Sequence, residues 1–285
     1  MPTLTGLHSY PIKSCAGLAL ERARLTPWGL EWDRHWMVVD VNDGFVSQRT
    51  YPDMARIVPT FEGDCLVVRS DGMPALELPL KPPTRTPSRQ VSVWDDSMVA
   101  IDEGDRAAQW FSQRLDSTLR LVRFDPSVSR AVSKKWTGEH DAVTQFADGF
   151  PILVTGEASL DELNGRLLAK GATPIPMSRF RPNIVVSGLD AYDEDFIETL
   201  TIAGSPSVVL RLSKPCARCP ITTIDQTDGM RDPHWPHEPL DTLAIYRANP
   251  RVGGGLTFGQ NAIAIEGDGA WIELGASIDA EWDFA

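Results

Sequence analysis

Apolar residues along the chain recur mostly at every second position, in short runs separated by turn residues, which predicts a succession of short strands. Leu4 to Tyr10 alternates and runs into Pro11-Ile12-Lys13-Ser14-Cys15, a strand feeding a turn. Leu18 to Thr26 alternates leucine and alanine with Glu21, Arg22 and Arg24, the pattern of a half-buried strand. Met37 to Val41 and Phe45 to Gln48 flank Asn42-Asp43-Gly44, while Cys65 to Arg69 and Ala75 to Leu80 flank Ser70-Asp71-Gly72. Both arrangements predict hairpins. Lys81 to Pro87 reads as a proline-rich loop, and Gln90 to Trp94 with Met98 to Ile101 as a further strand pair. Strands this short and this many imply a β-barrel or sandwich.

The period changes at Asp105 to Leu115, where Ala108, Phe111 and Leu115 share a face and predict an amphipathic helix opened by Asp105. Leu119 to Phe124 returns to strand. Asp125 to Asp141 is polar and aperiodic, which predicts a mobile connection. Pro151 to Gly156 reads as a buried strand leading into a helix over Glu157 to Ala169, with Leu160, Leu163 and Leu167 on its apolar side and Ser159 as its cap. Backbone amides at such a start are ready donors for an anion. Strands over Phe196 to Ala203 and Val208 to Leu212, a short helix to Tyr246 and final strands through Ile272 and Ile278 complete the pattern.

Composition narrows the function classes. The 285 residues suffice for one large domain or two ordinary ones, and 42% hydrophobic with 23% charged residues describe an ordinary soluble protein. A formal charge of −12 excludes a general nucleic-acid binder, so any basic site has to be local. The start has neither a basic leader nor an apolar run, no segment approaches the roughly 20 apolar residues that span a bilayer, and four cysteines without disulfide density suit a reducing cytoplasm.

Candidate chemistry concentrates in Lys-Pro-Cys-Ala-Arg-Cys-Pro-Ile-Thr-Thr-Ile-Asp, residues 214 to 225. Arg218 sits beside Cys219, and a fixed positive charge favours thiolate, the form that attacks carbon or binds metal. Three readings stay open on these residues alone: two half-buried cysteines in a turn, a zinc site completed by His234 and His237, or a catalytic or metal-ligating thiolate. The histidine pair is more closely spaced than in a zinc finger, and its prolines forbid the helix that presents such a pair. Arg179-Phe180-Arg181-Pro182-Asn183 is a donor-rich corner whose Arg181 suits an anion, with an ion pair to Glu194 or Asp195 as the plainer reading. Lys13 and Ser14 place an ammonium and a hydroxyl at a turn, and Arg34 follows Asp33 in a loop rich in tryptophan.

An ordered set of motifs joins these pieces. Tyr-Pro-Ile-Lys-Ser-Cys at 10 to 15, Asp-Arg-His-Trp-Met-Val-Val-Asp at 33 to 40 and Ser-Gln-Arg at 47 to 49 are followed by Asp-Gly-Phe-Pro-Ile-Leu at 148 to 153 and Glu-Ala-Ser-Leu-Asp-Glu-Leu-Asn at 157 to 164. Arg-Phe-Arg-Pro-Asn-Ile-Val-Val at 179 to 186, the cysteine segment, Glu-Pro-Leu at 238 to 240 and Phe-Gly-Gln-Asn at 258 to 261 close the set. Together they resemble the MOSC family, in the two-part form with an N-terminal MOSC β-barrel region, and are similar to its amidoxime-reducing members and bacterial reductases of N-hydroxylated compounds. The resemblance covers most of the chain. It implies an α+β, mainly β fold of two β-rich lobes with a few short helices: residues 1–122 as the N-terminal β-barrel-like region, with 1–34 contributing to the cofactor side, and 123–285 as the MOSC domain.

It further implies the molybdenum cofactor, Mo-molybdopterin, with Cys219 as the catalytic thiolate and metal ligand and Arg218 as its neighbour. Soft thiolate suits molybdenum. The pterin phosphate maps by motif position onto Lys13, Ser14, Arg34, Arg181 and Asn183, and onto Thr155, Gly156, Ala158 and Ser159 of the strand-to-helix turn. The implied activity is reduction of small N-hydroxylated molecules such as hydroxylamines, amidoximes and hydroxylated bases. Some relatives carry a ferredoxin domain, whereas this chain has no cysteine after Cys219 and an iron–sulfur cluster takes four ligands, so the expected electron donor is a separate flavin, ferredoxin or haem protein. Ala217 brings no hydroxyl between the two cysteines. The other class left open is a non-catalytic carrier of the cofactor or of sulfur, with a persulfide on Cys219.

Overall fold

Most of the strands that the alternation predicts form, and a computed structural model, which describes residues 1–82 and 87–283, groups them into two β-rich regions. The expected loop over Lys81 to Pro87 lies for the most part outside the described residues. Among the described residues, the largest sheet runs Ile278–Trp282, Ile197–Ile202, Val208–Ala217, Gly255–Glu266, Ile152–Gly156, Ile184–Ser187, Thr3–Ser9 and Leu18–Ala19, with Ala248–Asn249 pairing off its path. Ile152–Gly156 and Ile184–Ser187 are parallel, and the crossover between them carries the helix Glu157–Ala169, since a parallel pair cannot be closed by a tight turn. Thr3–Ser9 pairs with Ile184–Ser187, and Arg22–Thr26 pairs with Trp271–Glu273. The first thirty residues are therefore woven into the region built by the end of the chain.

The middle of the chain makes a sheet in the order Trp36–Val39, Arg120–Phe124, Asp96–Asp102 and Ser88–Val93, beside a three-stranded sheet of Val58–Glu62, Cys65–Arg69 and Leu76–Pro79. Trp36-Met37-Val38-Val39 is apolar throughout because both of its faces are covered. Trp36 and Val38 enter a core with Phe111, Leu66 and Leu121, while Met37 and Val39 enter a second core with Val93, Phe124 and Phe146. The helix Asp105–Leu115 sets Phe111 and Leu115 into the first of these cores, as its spacing predicts. On the helix Glu157–Ala169, Leu163 and Leu167 are fully buried against Phe180, Leu243 and Phe258.

Local departures have identifiable causes. The run Leu18 to Thr26 is interrupted at Leu20 and Glu21, and the second arm of the first expected hairpin, Phe45 to Gln48, holds its partner by the single bridge of Phe45 to Val39. Ser159 does not cap its helix. Its hydroxyl donates to the buried Glu194 carboxylate at 2.7 Å, and that carboxylate also accepts the Gly156 N–H at 3.2 Å. The segment Asp125 to Asp141 contains the short helix Lys134–Thr137 and is moored by Arg130, whose buried guanidinium donates to the Gln145 carbonyl at 2.9 Å, to the Ala147 and Asp148 carbonyls and to Asp96. Alternation cannot signal an anchor of this kind, because its partners lie on other segments.

Candidate active site

Residues far apart in sequence meet at a cavity of about 280 Å³ where the N-terminal turns face the end of the strand Val208–Ala217. Lys13, Ser14, Arg34, Arg181, Asn183, Arg218 and Cys219 all line it. Thr155, Gly156, Ala158 and Ser159 do not. Gly156 and Ser159 are engaged by Glu194, and the Thr155 hydroxyl faces the Met177 sulfur at 3.4 Å. The anion that this helix start accepts is thus an internal carboxylate.

Backbone pairing fixes the basic side of the cavity. Lys13 N–H donates to Trp36 O at 2.8 Å, Trp36 N–H to Pro11 O at 3.0 Å, and Phe146 N–H to Arg34 O at 3.1 Å, so the turns bearing Lys13 and Arg34 are stitched together. Ser14, Arg34 and Arg181 all hold left-handed backbone, with φ of 67°, 49° and 56°. Each such residue costs about 1 kcal/mol or more and persists where its surroundings over-determine it, as functional sites do. The Tyr10 ring then serves as a shared plate: the Arg34 and Arg181 guanidinium carbons lie 4.3 and 4.2 Å from its centroid. Arg34 also donates to Asp33, to Asn183 Oδ1 at 3.1 Å and to the Arg181 carbonyl at 3.3 Å.

Charge is unevenly compensated. Lys13 pairs with Asp148 at 2.5 Å, and Arg34 with Asp33. Burial lowers the Lys13 pKa, while the Asp148 carboxylate acts in the opposite direction. Arg181, Arg218 and Lys214, by contrast, have no carboxylate within ion-pair distance among the described residues. Arg181 donates to Gln226 Oε1 at 3.1 Å rather than pairing with Glu194 or Asp195, and burial pulls its pKa down to about 10, which leaves it cationic at neutral pH. Asp195 is instead taken by Arg247 and Gln260, and Arg179 pairs with Asp225. The cavity is a locally cationic pocket in an acidic chain, suited to an anion.

The cysteine segment straddles a strand end. Pairing with Gly255–Glu266 slips between Leu212 and Lys214 and again between Pro215 and Ala217, the second slip lying opposite Gly259. Only glycine fits there: its φ is +75°, and a Cβ would lie 2.6 Å from the Val154 carbonyl oxygen. After these slips, Lys214, Cys216 and Cys219 all border the cavity, both cysteines half-buried. Arg218 turns to Cys216 and not to Cys219. Its Nη1 donates to Cys216 Sγ at 2.8 Å and its Nη2 to the Phe180 carbonyl, while its buried Nε has no partner. His234 and His237 are exposed and do not line the cavity, and among the described residues no group of three or more His, Cys, Asp or Glu is placed to hold a metal ion. Phe45, Arg49, Asp148, Phe150, Lys214 and Asn261 also line the cavity. Arg49, Asp148, Phe150, Lys214 and Asn261 stand inside the sequence motifs, so the signal existed in the sequence without a role attached to it.

His35, next to Arg34, supplies a pH test of this loop. It is 7% exposed, its Nδ1 lies 2.9 Å from Gln145 Oε1, and burial, aided by Arg123, lowers its pKa to about 4. Between about 6.5 and 4 the unfolded chain binds this proton and the folded chain does not, so stability falls as pH falls across that window. The full effect is a few kcal/mol. The unfolding midpoint in denaturant should drop between pH 6.5 and 4 with a slope approaching one proton, and a flat profile there would contradict a neutral buried imidazole.

Comparison with known proteins gives a consistent match. The MOSC N-terminal beta barrel domain matches residues 1–118, and the MOSC domain residues 141–278. Mitochondrial amidoxime reducing component 2 of Bos taurus is 35% identical over 252 residues, 86% of this chain and 72% of that protein. Mitochondrial amidoxime-reducing component 1 of Mus musculus is 36% identical over 252 residues, 86% of this chain and 71% of that protein. The crystal structure of the YUAD protein of Bacillus subtilis covers 98% of this chain and 94% of its own at 12% identity, with a TM-score of 0.42. Among the described residues, no helix is long and apolar enough to cross a membrane.

Proposed function

The chain belongs to the MOSC family of the amidoxime-reducing components, and we propose that it is a molybdenum-cofactor-dependent reductase of small N-hydroxylated molecules. The observation that supports this most is the joint lining of one cavity by a half-buried thiol and cations without carboxylate partners. These residues fit the cofactor's chemistry. The unpartnered Arg218 Nε and the uncompensated Arg181 await an acceptor, and Cys219 offers the soft ligand. Because no protein cluster holds a metal unaided among the described residues, a metal at Cys219 has to bring most of its ligands with it, as one chelated by a pterin dithiolene does.

In this reading Cys219 is the protein's metal ligand. Lys13, Ser14, Arg34, Arg181 and Asn183 hold the phosphate, which the turn at Thr155 to Ser159 leaves to them because Glu194 already occupies its donors. The bound cofactor supplies two electrons to the N–O bond; with two protons, a hydroxylamino group becomes an amine and water. Arg218, held by Cys216 and the Phe180 carbonyl, keeps a fixed charge beside the reacting centre. The Tyr10 ring holds both Arg34 and Arg181 within 4.3 Å of its centroid, so their positions are set before any ligand arrives.

The domain boundary near residue 122, with residues 1–34 serving the cofactor side, belongs to the same proposal. So does a cytoplasmic setting, which four free thiols suit. Electrons come from a separate flavin, ferredoxin or haem protein: Cys15 is buried and Cys65 stands in the other β-rich region, which leaves no set of four thiolates for a cluster. Cofactor-loaded protein should therefore reduce a panel of hydroxylamines, amidoximes and hydroxylated bases anaerobically with a reduced dye, and should not oxidise a reduced nicotinamide by itself. Stoichiometric molybdenum and pterin without turnover of any panel member would favour the carrier reading instead.

A further inference from the structure

At the edge of the cavity, outside the residues assigned to the cofactor, one indole gathers three cations. Trp136, on the helix Lys134–Thr137, has Lys135 Nζ and Lys214 Nζ each 5.2 Å from its ring centroid and Arg251 Cζ at 5.9 Å. Lys214 also lies 5.8 Å from the ring of Phe150, and these two line the cavity, so the cluster is continuous with it. None of the three cations has a carboxylate within ion-pair distance among the described residues. Of the acids on neighbouring segments, Asp141 is engaged by Lys134 and Asp148 by Lys13. Each ring contact is favourable, but three like charges about one ring repel one another. In a chain of formal charge −12, that grouping calls for an anion.

A second aromatic and cationic group borders the same cavity. Trp94, in the turn between Ser88–Val93 and Asp96–Asp102, is 51% exposed, with Arg49 Cζ 4.8 Å from its ring and Phe45 edge-on at 4.9 Å. Its Nε1 donates to Asp148 at 3.2 Å, and Phe45, Arg49 and Asp148 all line the cavity. Flat aromatic faces interleaved with guanidinium and ammonium groups suit a ligand that is planar at one end and negatively charged at the other.

We propose that this rim selects phosphorylated substrates: hydroxylated nucleobases presented as nucleotides, with the phosphate at Lys135, Lys214 and Arg251 and the base directed past Phe150 into the cavity. The proposal rests on the reductase reading for its hydroxylated substrate but not for its phosphate preference, and binding separates the two. Calorimetry on the cofactor-loaded protein should show cytidine 5′-monophosphate binding about tenfold more tightly than cytidine at low salt, with the gap closing as salt is raised. The double variant Lys135→Glu/Arg251→Glu, both positions exposed and outside the cavity lining, should abolish the gap. With dye as donor, it should also raise KM for N4-hydroxycytidine 5′-monophosphate about tenfold, leaving KM for N4-hydroxycytidine within about twofold. Equal binding of nucleoside and nucleotide would overturn the proposal, as would an equal loss for both in the variant. A loss seen only with a protein donor, and the same for every substrate, would overturn it too, because the rim would then be a docking surface. If no hydroxylated compound turns over, the reductase reading fails while the calorimetry still decides the rim.

Discussion

Replacing Cys219 by alanine is expected to lower N-reduction by at least about a hundredfold, and to lower molybdenum content with it, while the circular dichroism spectrum and melting temperature stay those of the parent. The fold has little to lose at this side chain. The bonds at this residue run from Thr222 N–H and Thr222 Oγ1 to the Cys219 carbonyl oxygen, not to the sulfur, and the thiol is half-buried at the cavity wall. Cys216 makes the necessary contrast. Its sulfur accepts from Arg218 Nη1, so Cys216→Ala frees one arm of a guanidinium that the Phe180 carbonyl still holds by the other. Cys216→Ala should keep substantial activity, and Cys216→Ser, which restores an acceptor, should keep more. Equal loss in Cys216→Ala and Cys219→Ala would replace the single-ligand scheme by one in which both thiols react.

The largest effect on stability is expected outside the cavity lining, at Arg123. This guanidinium is 1% exposed, donates to Glu103 at 2.5 Å, to the Leu80 carbonyl at 2.6 Å and to the Pro79 carbonyl at 2.7 Å, and lies 5.1 Å from the Trp36 ring centroid. Trp36 Nε1 donates to the same Glu103 oxygen at 2.6 Å. Arg123 thereby ties the sheet containing Arg120–Phe124 to the strand Leu76–Pro79 of its neighbour. Arg123→Met keeps the stem but strands a buried carboxylate and two carbonyls, which costs about 3–5 kcal/mol. For a chain of this size that is a fall of roughly 10 °C in melting temperature. Adding Glu103→Gln should recover a large part, since the charge left without its partner is the main penalty. A double variant as unstable as the single would mean that the carbonyl contacts, and not the ion pair, carry the effect.

What the sequence made legible followed local period. Runs such as Cys65 to Arg69 and the helix of Phe111 and Leu115 needed only their own spacing, and Met37 to Val39 read as a strand without showing that both its faces are covered. The motif set also named seven residues that line one cavity. Convergence itself was not legible, because it depends on partners outside the local window: the Tyr10 ring shared by Arg34 and by the far more distant Arg181, or Arg130 reaching three carbonyls beyond residue 144. Glu194 illustrates the limit. A serine in the first turn of a helix reads as a cap, and nothing in the local pattern reveals that a carboxylate 35 residues later takes its hydroxyl. The aim of Lys214 and Cys216 likewise follows from two one-residue slips in strand pairing, which alternation does not encode.

The weaving of the first thirty residues into the last sheet has a consequence for biosynthesis. Thr3–Ser9 leaves the ribosome first, but the strand it must pair with, Ile184–Ser187, is made some 180 residues later, and Arg22–Thr26 waits still longer for Trp271–Glu273. Closing such long loops is slow and leaves unpaired edges in the interim. Lys13 and Arg34 therefore cannot face Cys219 until most of this sequence has been made, and loading of any prosthetic group at this cavity belongs to a late stage of folding.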